Sequence, residues 1–394
     1  MQTRTRKLVS VVAVAGTVAV GTTVVASAGA AASTPARSGR AARSVYNIGV
    51  PMPETGPNAQ AGSEIFDGEL LAANQLNAHG GILGHKLKLN EQDDACDPQT
   101  SAAAATKLVS EGVQAFVGNY CSGAALPAEP IVKRAGLPNI QPSANDPSLT
   151  AAKLNNVFLM DPTSSGDATE ATAFFKKVEH VKKVLVADDQ STFAVGVANL
   201  AVRDMRKAGI SVPAIQAVPA TQTDLSSVIA VVKSSGAQAV YWTGYYAQAA
   251  LFAKQLRAAG LNKVVFAVAD GSVDPTFISD AGPAGNGTFA TIVDTTQFLG
   301  GQNAKTFIKQ YQKAFHSAPG PYSAYGYDAI NTLAAAANAA HSIAPAKVIQ
   351  ALHKVHYKGL TGAVSFTKVG ARVGAKFVVL EVKKGAYTVA PKQP

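Results

Sequence analysis

The chain has 394 residues, of which 47% are hydrophobic, and 35 basic against 25 acidic residues give a formal net charge of +10. This length exceeds one ordinary core and predicts two domains, and the apolar content excludes a disordered chain. The charge alone would favour nucleic acid or an acidic membrane surface as a partner. However, residues 1–44 contain six basic residues and no acid, so the remainder carries only +4. We therefore expect no nucleic-acid partner.

The first 32 residues have the order of a secretory signal peptide. Arg4, Arg6 and Lys7 precede a weakly apolar run over 8–25, and small residues with A-x-A spacing follow it. This order predicts a signal peptide at 1–32 and a flexible basic leader at 33–44. An uncleaved membrane anchor is the alternative, because the run approaches the shortest length that spans a bilayer. Since the signal region has no cysteine, we expect an exported protein, periplasmic or extracellular, without a lipid anchor.

From residue 46 onward, short β-branched runs alternate with amphipathic stretches. The predicted strands are Tyr46–Val50, Leu87–Glu91, Gln114–Gly118, Val157–Met160, Val184–Ala187, Ala239–Thr243 and Val264–Val268. The predicted helices are Ser63–Ala78, Ser101–Glu111, Ala168–Val178, Val195–Lys207 and Gln248–Ala259. Such alternation is typical of parallel sheets covered by helices on both faces. The predicted fold class is therefore α/β and doubly wound.

Cys96 and Cys121 are the only cysteines of the chain. In an exported protein an even count favours a disulfide bond, and two buried free thiols are the alternative. Two cysteines 25 positions apart lack the paired spacing of a zinc site. His79 and His85 have no acidic or cysteine ligand to complete a set. We expect neither a metal nor a cofactor.

Ligands of doubly wound sheets bind beyond the carboxyl ends of the strands. The segments in that position are 51–57, 93–98, 119–123, 142–146, 188–193, 244–246 and 270–272. They are rich in small, hydroxyl, aromatic and carboxylate residues and poor in lysine and arginine, which argues against a phosphate or nucleic-acid cleft. Since the chain also has no nucleophile elbow, zincin helix, P-loop or dinucleotide motif, we do not expect an enzyme.

Several of these segments resemble one known family. They read IGV at 48–50, ETGP at 54–57, NAHGGI at 77–82, DDACDP at 93–98, GNYCS at 118–122, GY at 244–245 and RAAGL at 257–261. Over about 46–390 the chain resembles the type 1 periplasmic binding proteins, the solute-binding components of branched-chain amino-acid ABC importers.

That resemblance implies two Rossmann-like lobes with parallel sheets, joined by three hinge crossings, that close on a ligand. Lobe one would comprise 45–162 plus 295–366, and lobe two would comprise 163–294 plus 367–390. The resemblance also implies a disulfide bond between Cys96 and Cys121.

The resemblance further implies a site for an amino acid. Ser122 and the backbone N–H groups beside it would bind the carboxylate, with a plain N-cap as the alternative for Ser122. Ser143, Ala144 and Asn145 occupy the second carboxylate-and-ammonium loop, where the family usually carries Ala-Ala-Thr. Asn145 offers a donor and an acceptor in place of threonine. Turn formation before Asp146 is the alternative for Asn145.

The second lobe would supply the remaining polar contacts. Tyr245 matches a tyrosine that reaches the ligand on closure, and Asp270 stands where the family has a glutamate that pairs with the ammonium; a helix cap is the alternative for Asp270. Ala61 replaces a family aromatic, Phe193 stands where a tyrosine is usual, and Tyr322 matches an aromatic position. Together these residues predict an apolar side-chain pocket, enlarged near Ala61, for a ligand at least as bulky as leucine.

We therefore expect a monomeric, non-enzymatic receptor for an amino acid or an amino-acid-like solute. It would deliver this small-molecule ligand to the membrane permease of an ABC importer. One alternative is a sensing module that uses the same clamshell without transport. Another is a receptor for an aromatic or amide solute.

Overall fold

The structure, a computed structural model, describes residues 45–293, 301–374 and 376–394. The predicted signal peptide and basic leader lie outside these residues. Within the described ranges, no helix is both long enough and apolar enough to cross a membrane.

The strands form two large sheets and one short hairpin. Their bounds are β1 Tyr46–Met52, β2 Leu87–Asp93, β3 Ala115–Val117, β4 Asn139–Gln141, β5 Val157–Leu159, β6 Val184–Asp188, β7 Ile215–Ala217, β8 Ala239–Trp242, β9 Val265–Val268, β10 Phe289–Val293, β11 Tyr357–Gly359, β12 Gly362–Val364, β13 Phe377–Lys383 and β14 Ala386–Val389. The first sheet has the order β2-β1-β3-β4-β5 and is parallel throughout.

The second sheet has the order β14-β13-β10-β9-β8-β6-β7. Its strands are parallel from β10 to β7. β13 and β14 pair antiparallel at the other edge, and β11 with β12 forms a separate antiparallel hairpin. The prediction of an α/β fold with parallel sheets is confirmed. The antiparallel edge and the hairpin were not predicted from the sequence.

The helices begin earlier than the apolar repeat predicts. Their bounds are α1 Ala59–Ala78, α2 Pro98–Ser110, α3 Ser122–Arg134, α4 Ser165–Lys177, α5 Thr192–Lys207, α6 Ser226–Ser235, α7 Tyr246–Ala258, α8 Pro275–Ala281, α9 Gln302–Phe315, α10 Ser323–Ala339 and α11 Pro345–Leu352. All five predicted helices are present, and each starts two to four residues before its predicted start. The reason is the capped first turn, which carries little hydrophobic signal: Asp97 accepts the N–H of Thr100 at 2.8 Å at the start of α2.

A helix start near Ser122 was expected, but the extent of α3 and most of the C-terminal elements were not predicted. Pro127 and Pro130 lie inside α3, where proline ordinarily argues against a helix. β4 and β7 have three residues each, which is too short for an alternating pattern to be recognised.

The chain passes three times between two groups of elements, each built around one of the large sheets. It runs from β5 to β6, from β10 to α9, and from β12 to β13. We call the first sheet with α1–α3 and α9–α11 the first lobe, because these helices pack with one another and with that sheet, and the second sheet with α4–α8 the second lobe. The residue boundaries of the lobes, at 162, 294 and 366, stay a prediction.

Candidate functional site

A small cavity lies between the two lobes. Its described walls are Tyr120, Ser122, Ser143, Asn145 and Tyr322 from the first lobe and Phe193, Tyr245, Asp270 and Gly271 from the second. Most of these residues follow the carboxyl ends of strands, where doubly wound sheets bind ligands. We call this space the interlobe cavity. Its volume of ≈ 10 Å³ is about that needed for one water molecule. A solute as large as an amino acid therefore enters only when the walls move apart.

Wider grooves lie on the surface of the protein. The groove beside the β11–β12 hairpin has a volume of ≈ 660 Å³. Its polar side chains, such as Gln302, Asn303 and Lys358, are exposed to solvent. Because specific sites hold their polar groups in a largely buried, convergent set, the interlobe cavity is the better candidate despite its small volume.

The disulfide bond shapes the first-lobe wall of the cavity. Cys96 and Cys121 are bonded, as predicted, with their Cα atoms 5.3 Å apart. Asn119, just after β3, has a φ of 70°, and its Nδ2 donates to Asp94 Oδ2 at 2.8 Å. These links join the loop after β2 to the loop after β3. They hold Ser122 at the start of α3.

Ser122 ties α3 to the loop that follows β4. The N-cap of α3 is Cys121, so the alternative role of Ser122 as an N-cap is wrong. Ser122 Oγ instead accepts the backbone N–H groups of Asn145 at 3.3 Å and of Asp146 at 3.2 Å. In the same loop Ser143 is 6% exposed, and its Oγ has no hydrogen-bond partner. Ser143 Oγ is thus available to a ligand.

Asn145 forms a hydrogen bond that joins the lobes across the cavity. Its Nδ2 donates to Asp270 Oδ2 at 2.8 Å and to Asp161 Oδ2 at 3.0 Å. The capping of the turn over 147–150 belongs to Asp146, whose Oδ1 accepts the N–H of Ser148 at 2.8 Å, so the turn role considered for Asn145 is wrong. Asp270 is likewise not a cap, because Ala269 precedes the short turn that it begins.

Three carboxyl groups gather behind this contact. Asp270 is 1% exposed, and burial raises its pKa to about 6, although donation from Asn145 and from the Tyr322 hydroxyl lowers it. Asp161 and Asp167 are fully buried. Burial first, and the charge of Asp270 second, raise the pKa of both well above the ordinary range. Among the described wall residues there is no lysine or arginine.

Arg372 is the buried cation behind the carboxyl cluster. Its Nη1 donates to the carbonyl of Met160 at 2.7 Å, and its Nη2 donates to the carbonyls of Thr361 at 2.7 Å and Ala363 at 3.1 Å. Its charge lowers the pKa of Asp161, opposing the effect of burial. Arg372 therefore links the first and third crossings between the lobes and supplies their positive charge.

Aromatic rings complete the cavity walls. The ring centroids of Tyr120 and Tyr245 are 5.5 Å apart, those of Phe193 and Tyr245 are 5.5 Å apart, and those of Tyr120 and Tyr322 are 5.9 Å apart. The rings are tilted or edge-on to one another, at 37° to 61°. The Tyr120 hydroxyl donates to the carbonyl of Gly271 at 3.4 Å, a second contact between the lobes.

The comparisons with known proteins agree with this architecture. Residues 45–386 match the family described as periplasmic binding protein. The chain belongs to this family. It is 31% identical over 342 residues to a Leu/Ile/Val-binding protein homolog of Brucella melitensis, covering 86% of this chain and 91% of that protein.

Two solved structures agree with it in fold. A leucine-binding protein of Thermotoga maritima has a TM-score of 0.82 and 25% identity and covers 88% of this chain and 98% of that one. The second is a branched-chain amino-acid transporter substrate-binding protein of Streptococcus pneumoniae in complex with isoleucine. It has a TM-score of 0.80 and 25% identity, and the match covers 89% of this chain and 100% of that one. The lobed α/β architecture is therefore that of the family.

In this periplasmic binding protein, most of the ligand-binding residues predicted from the sequence line the interlobe cavity. They are Ser122, Ser143, Asn145, Phe193, Tyr245, Asp270 and Tyr322. Ala144 is instead buried with Ala125 and Leu149 in the first-lobe core. Ala61 is buried in α1, with its backbone near the Tyr246 hydroxyl. Ala61 is not among the walls of this small cavity, and the enlargement of the side-chain pocket beside it stays a prediction.

Several residues of this binding protein's site were not predicted from the sequence. Tyr120 and Gly271 line the cavity. Both lie in the segments that follow predicted strands, but neither was named as a ligand-binding residue. Asp161 follows β5 by two residues, so the same strand-end rule would have found it. Asp167 and Arg372 carry no local signal. In the described ranges, no group of three His, Cys, Asp or Glu side chains has the arrangement of a metal site.

Proposed function

We propose that this protein is the exported substrate-binding component of an ABC importer. It captures an amino acid or an amino-acid-like solute between its lobes and delivers it to the membrane permease. It acts as a monomer and catalyses no reaction. The family membership and the Leu/Ile/Val-binding description of its Brucella relative support this proposal.

The observation that carries the proposal is the contact between Asn145 and Asp270. Asp270 is a buried carboxyl group whose described partners in the cavity are hydrogen-bond donors and not cations. The Asn145 amide donates to it across the lobes at 2.8 Å. An ammonium group at that position would donate in the same direction and would also supply the missing charge.

The carboxylate of the solute would lie on the first-lobe wall. The start of α3, a helix of 13 residues, presents backbone N–H groups and the positive end of the helix dipole. Ser143 Oγ, which has no partner, lies on the same wall. Because these donors and Asp270 belong to different lobes, a zwitterion would hold the lobes together and shift the protein towards the closed state.

Calorimetric titration of Asp270→Asn with the tightest-binding amino acid tests this role. The amide keeps the shape of the side chain and removes its charge, so we expect the dissociation constant to rise about 30-fold or more, the effect of leaving a buried ammonium without its countercharge. The ligand is first identified by thermal shift against an amino-acid library, since a bound solute raises the melting temperature.

Asp280→Asn is the matched control, because Asp280 is an exposed carboxyl group on the same lobe. We expect its affinity to equal that of the unaltered protein. Equal affinities for Asp270→Asn and the control would contradict the assignment of Asp270. A library of amino acids and amino-acid-like solutes in which no compound raises the melting temperature would contradict the proposed function itself.

A further inference from the structure

Among the residues that line the cavity, the hydrogen-bond acceptors beside Asp270 are largely occupied. Asp161 Oδ1 and both carboxyl oxygens of Asp167 are buried and make no hydrogen bond of normal geometry, but neither residue lines the cavity. A primary ammonium carries three N–H donors and needs three acceptors when it is buried. Asp270 already receives Asn145 Nδ2, and the Tyr322 hydroxyl and the Gly271 N–H also donate to it. The Gly271 carbonyl accepts the Tyr120 hydroxyl. Of the wall atoms that are buried and without a partner, the cavity offers Ser143 Oγ.

Aromatic rings, in contrast, lie beside Asp270 and Gly271 in the cavity wall. A Cβ atom placed on Gly271 would lie 2.7 Å from Phe193 Cε1 and 3.3 Å from Tyr245 Cδ1, so both rings pack against the residue next to Asp270. The Tyr120 hydroxyl donates to the carbonyl of Gly271, and the Tyr322 hydroxyl donates to Asp270. The four rings therefore surround the charged end of the cavity and do not form a separate pocket for an apolar side chain.

Rings around a buried carboxyl group suit one class of cation. An N-alkylated ammonium has few N–H donors, and its charge is spread over the carbon atoms bonded to nitrogen. Such groups bind against aromatic faces by cation–π attraction, which is strongest where water is excluded. A carboxylate behind the rings adds the countercharge without demanding three hydrogen bonds.

We propose that the solute of this site carries an N-alkylated ammonium group, enclosed by Tyr120, Phe193, Tyr245 and Tyr322 against Asp270. This inference rests on the proposed function and narrows its ligand class from amino acids in general to N-methylated amino acids and betaines. The carboxylate of such a solute keeps the place on the first-lobe wall described above.

Calorimetric titration of the full chain with two methylation series tests the inference. One series comprises glycine, N-methylglycine, N,N-dimethylglycine and N,N,N-trimethylglycine, and the other comprises leucine and N-methylleucine. We expect affinity to rise with methylation, by about tenfold or more from glycine to its trimethyl form. The uncharged analogue 3,3-dimethylbutanoate has the shape of trimethylglycine, so it separates charge from size. We expect it to bind at least about tenfold more weakly than trimethylglycine.

Two substitutions at Tyr120 test whether the aromatic ring causes the preference for methylated ligands. Tyr120→Phe keeps the ring and removes the hydroxyl, so the preference for methylated ligands remains. Tyr120→Leu keeps an apolar side chain and removes the ring, so the preference falls severalfold. Phe193→Leu serves as the second variant if circular dichroism indicates that Tyr120→Leu does not fold.

Each result of the titrations decides between the two proposals. Tighter binding of leucine and glycine than of their methylated forms overturns the N-alkyl inference and leaves the amino-acid receptor intact. Equal binding of trimethylglycine and its uncharged analogue also overturns it. If neither series binds while another library amino acid does, the N-alkyl inference fails and the proposed function stands. If no library compound binds, both proposals fail.

Discussion

Two places where the lobes meet differ in how their polar groups are matched. At the interlobe cavity, the Asn145 amide of the first lobe donates to the Asp270 carboxyl group of the second. At the other contact, Glu64 of α1 lies near Asp274, the residue before α8. Burial, and then the negative charge of Asp274, raises the pKa of Glu64 to about 7. We call the second place the acidic contact.

The acidic contact has too few donors. Glu64 Oε1 accepts Gln60 Nε2 at 2.7 Å, but its Oε2 is buried without a partner. The Tyr246 hydroxyl is buried nearby and makes no hydrogen bond of normal geometry. A proton on Glu64 removes the repulsion between the two carboxyl groups. Lobe closure is therefore assisted at the cavity and, once Glu64 ionises, opposed at the acidic contact.

The largest expected effect on stability concerns Arg372, the buried positive charge behind the interlobe cavity. Arg372→Met would leave the carbonyls of Met160, Thr361 and Ala363 without their buried donor. We expect the free energy of unfolding to fall by about 3 kcal/mol or more in urea titrations at pH 7. Arg203→Met, an exposed arginine paired with Asp204, is the control. An effect of Arg372→Met no larger than the control's would contradict the role of Arg372.

A smaller effect is expected at the acidic contact. The folded pKa of Glu64, about 7, exceeds its ordinary value of 4.5. The folded protein therefore keeps a proton that the unfolded chain loses, and stability falls as pH rises between these values. Glu64→Gln removes this loss, so we expect a gain of about 1–2 kcal/mol in the free energy of unfolding at pH 8 and none at pH 4.5.

Urea titrations at both pH values check this prediction. Glu111→Gln, which alters an exposed carboxyl group at the end of α2, should change stability equally little at both. A gain for Glu64→Gln that is independent of pH would mean that the ionisation of Glu64 is not its cause.

The smallest expected changes in stability come from removing one tyrosine hydroxyl at each of the two contacts. Tyr120→Phe removes a bonded hydroxyl beside the cavity, and we expect a loss of about 0.5–1 kcal/mol in the free energy of unfolding. Tyr246→Phe removes a buried hydroxyl that makes no hydrogen bond of normal geometry, so we expect no loss or a slight gain. The two variants can be compared by urea denaturation under one condition. The reverse order would contradict the described difference between the contacts.

Strand ends were the most informative part of the sequence. Because parallel strands bring their carboxyl ends to one edge, the segments after them include Ser122, Asn145, Tyr245 and Asp270, all of which line the cavity. Tyr322 is different. It precedes α10, which was not predicted, so only the family resemblance indicated it.

Contacts between the lobes could not be predicted in the same way. Asn145 and Asp270 are 125 positions apart, and local periodicity does not report which distant segments meet. Ala61 illustrates the same limit, because its buried position in α1 follows from helix packing and not from its place in a family motif. The carboxyl group of Asp167 also acquires its raised pKa from burial among neighbours that are distant in sequence.

The Asn145 amide donates to Asp270, so it competes with the ammonium group of the solute for the same carboxyl group. A solute that pairs with Asp270 must first displace the amide, so its apparent dissociation constant is the intrinsic one divided by the fraction of molecules in which this bond is open. Residue 145 can therefore adjust the concentration at which the receptor becomes half-saturated, even where the contacts to the solute stay the same. The working range of such a receptor can thus follow the solute supply of its surroundings through a single side chain.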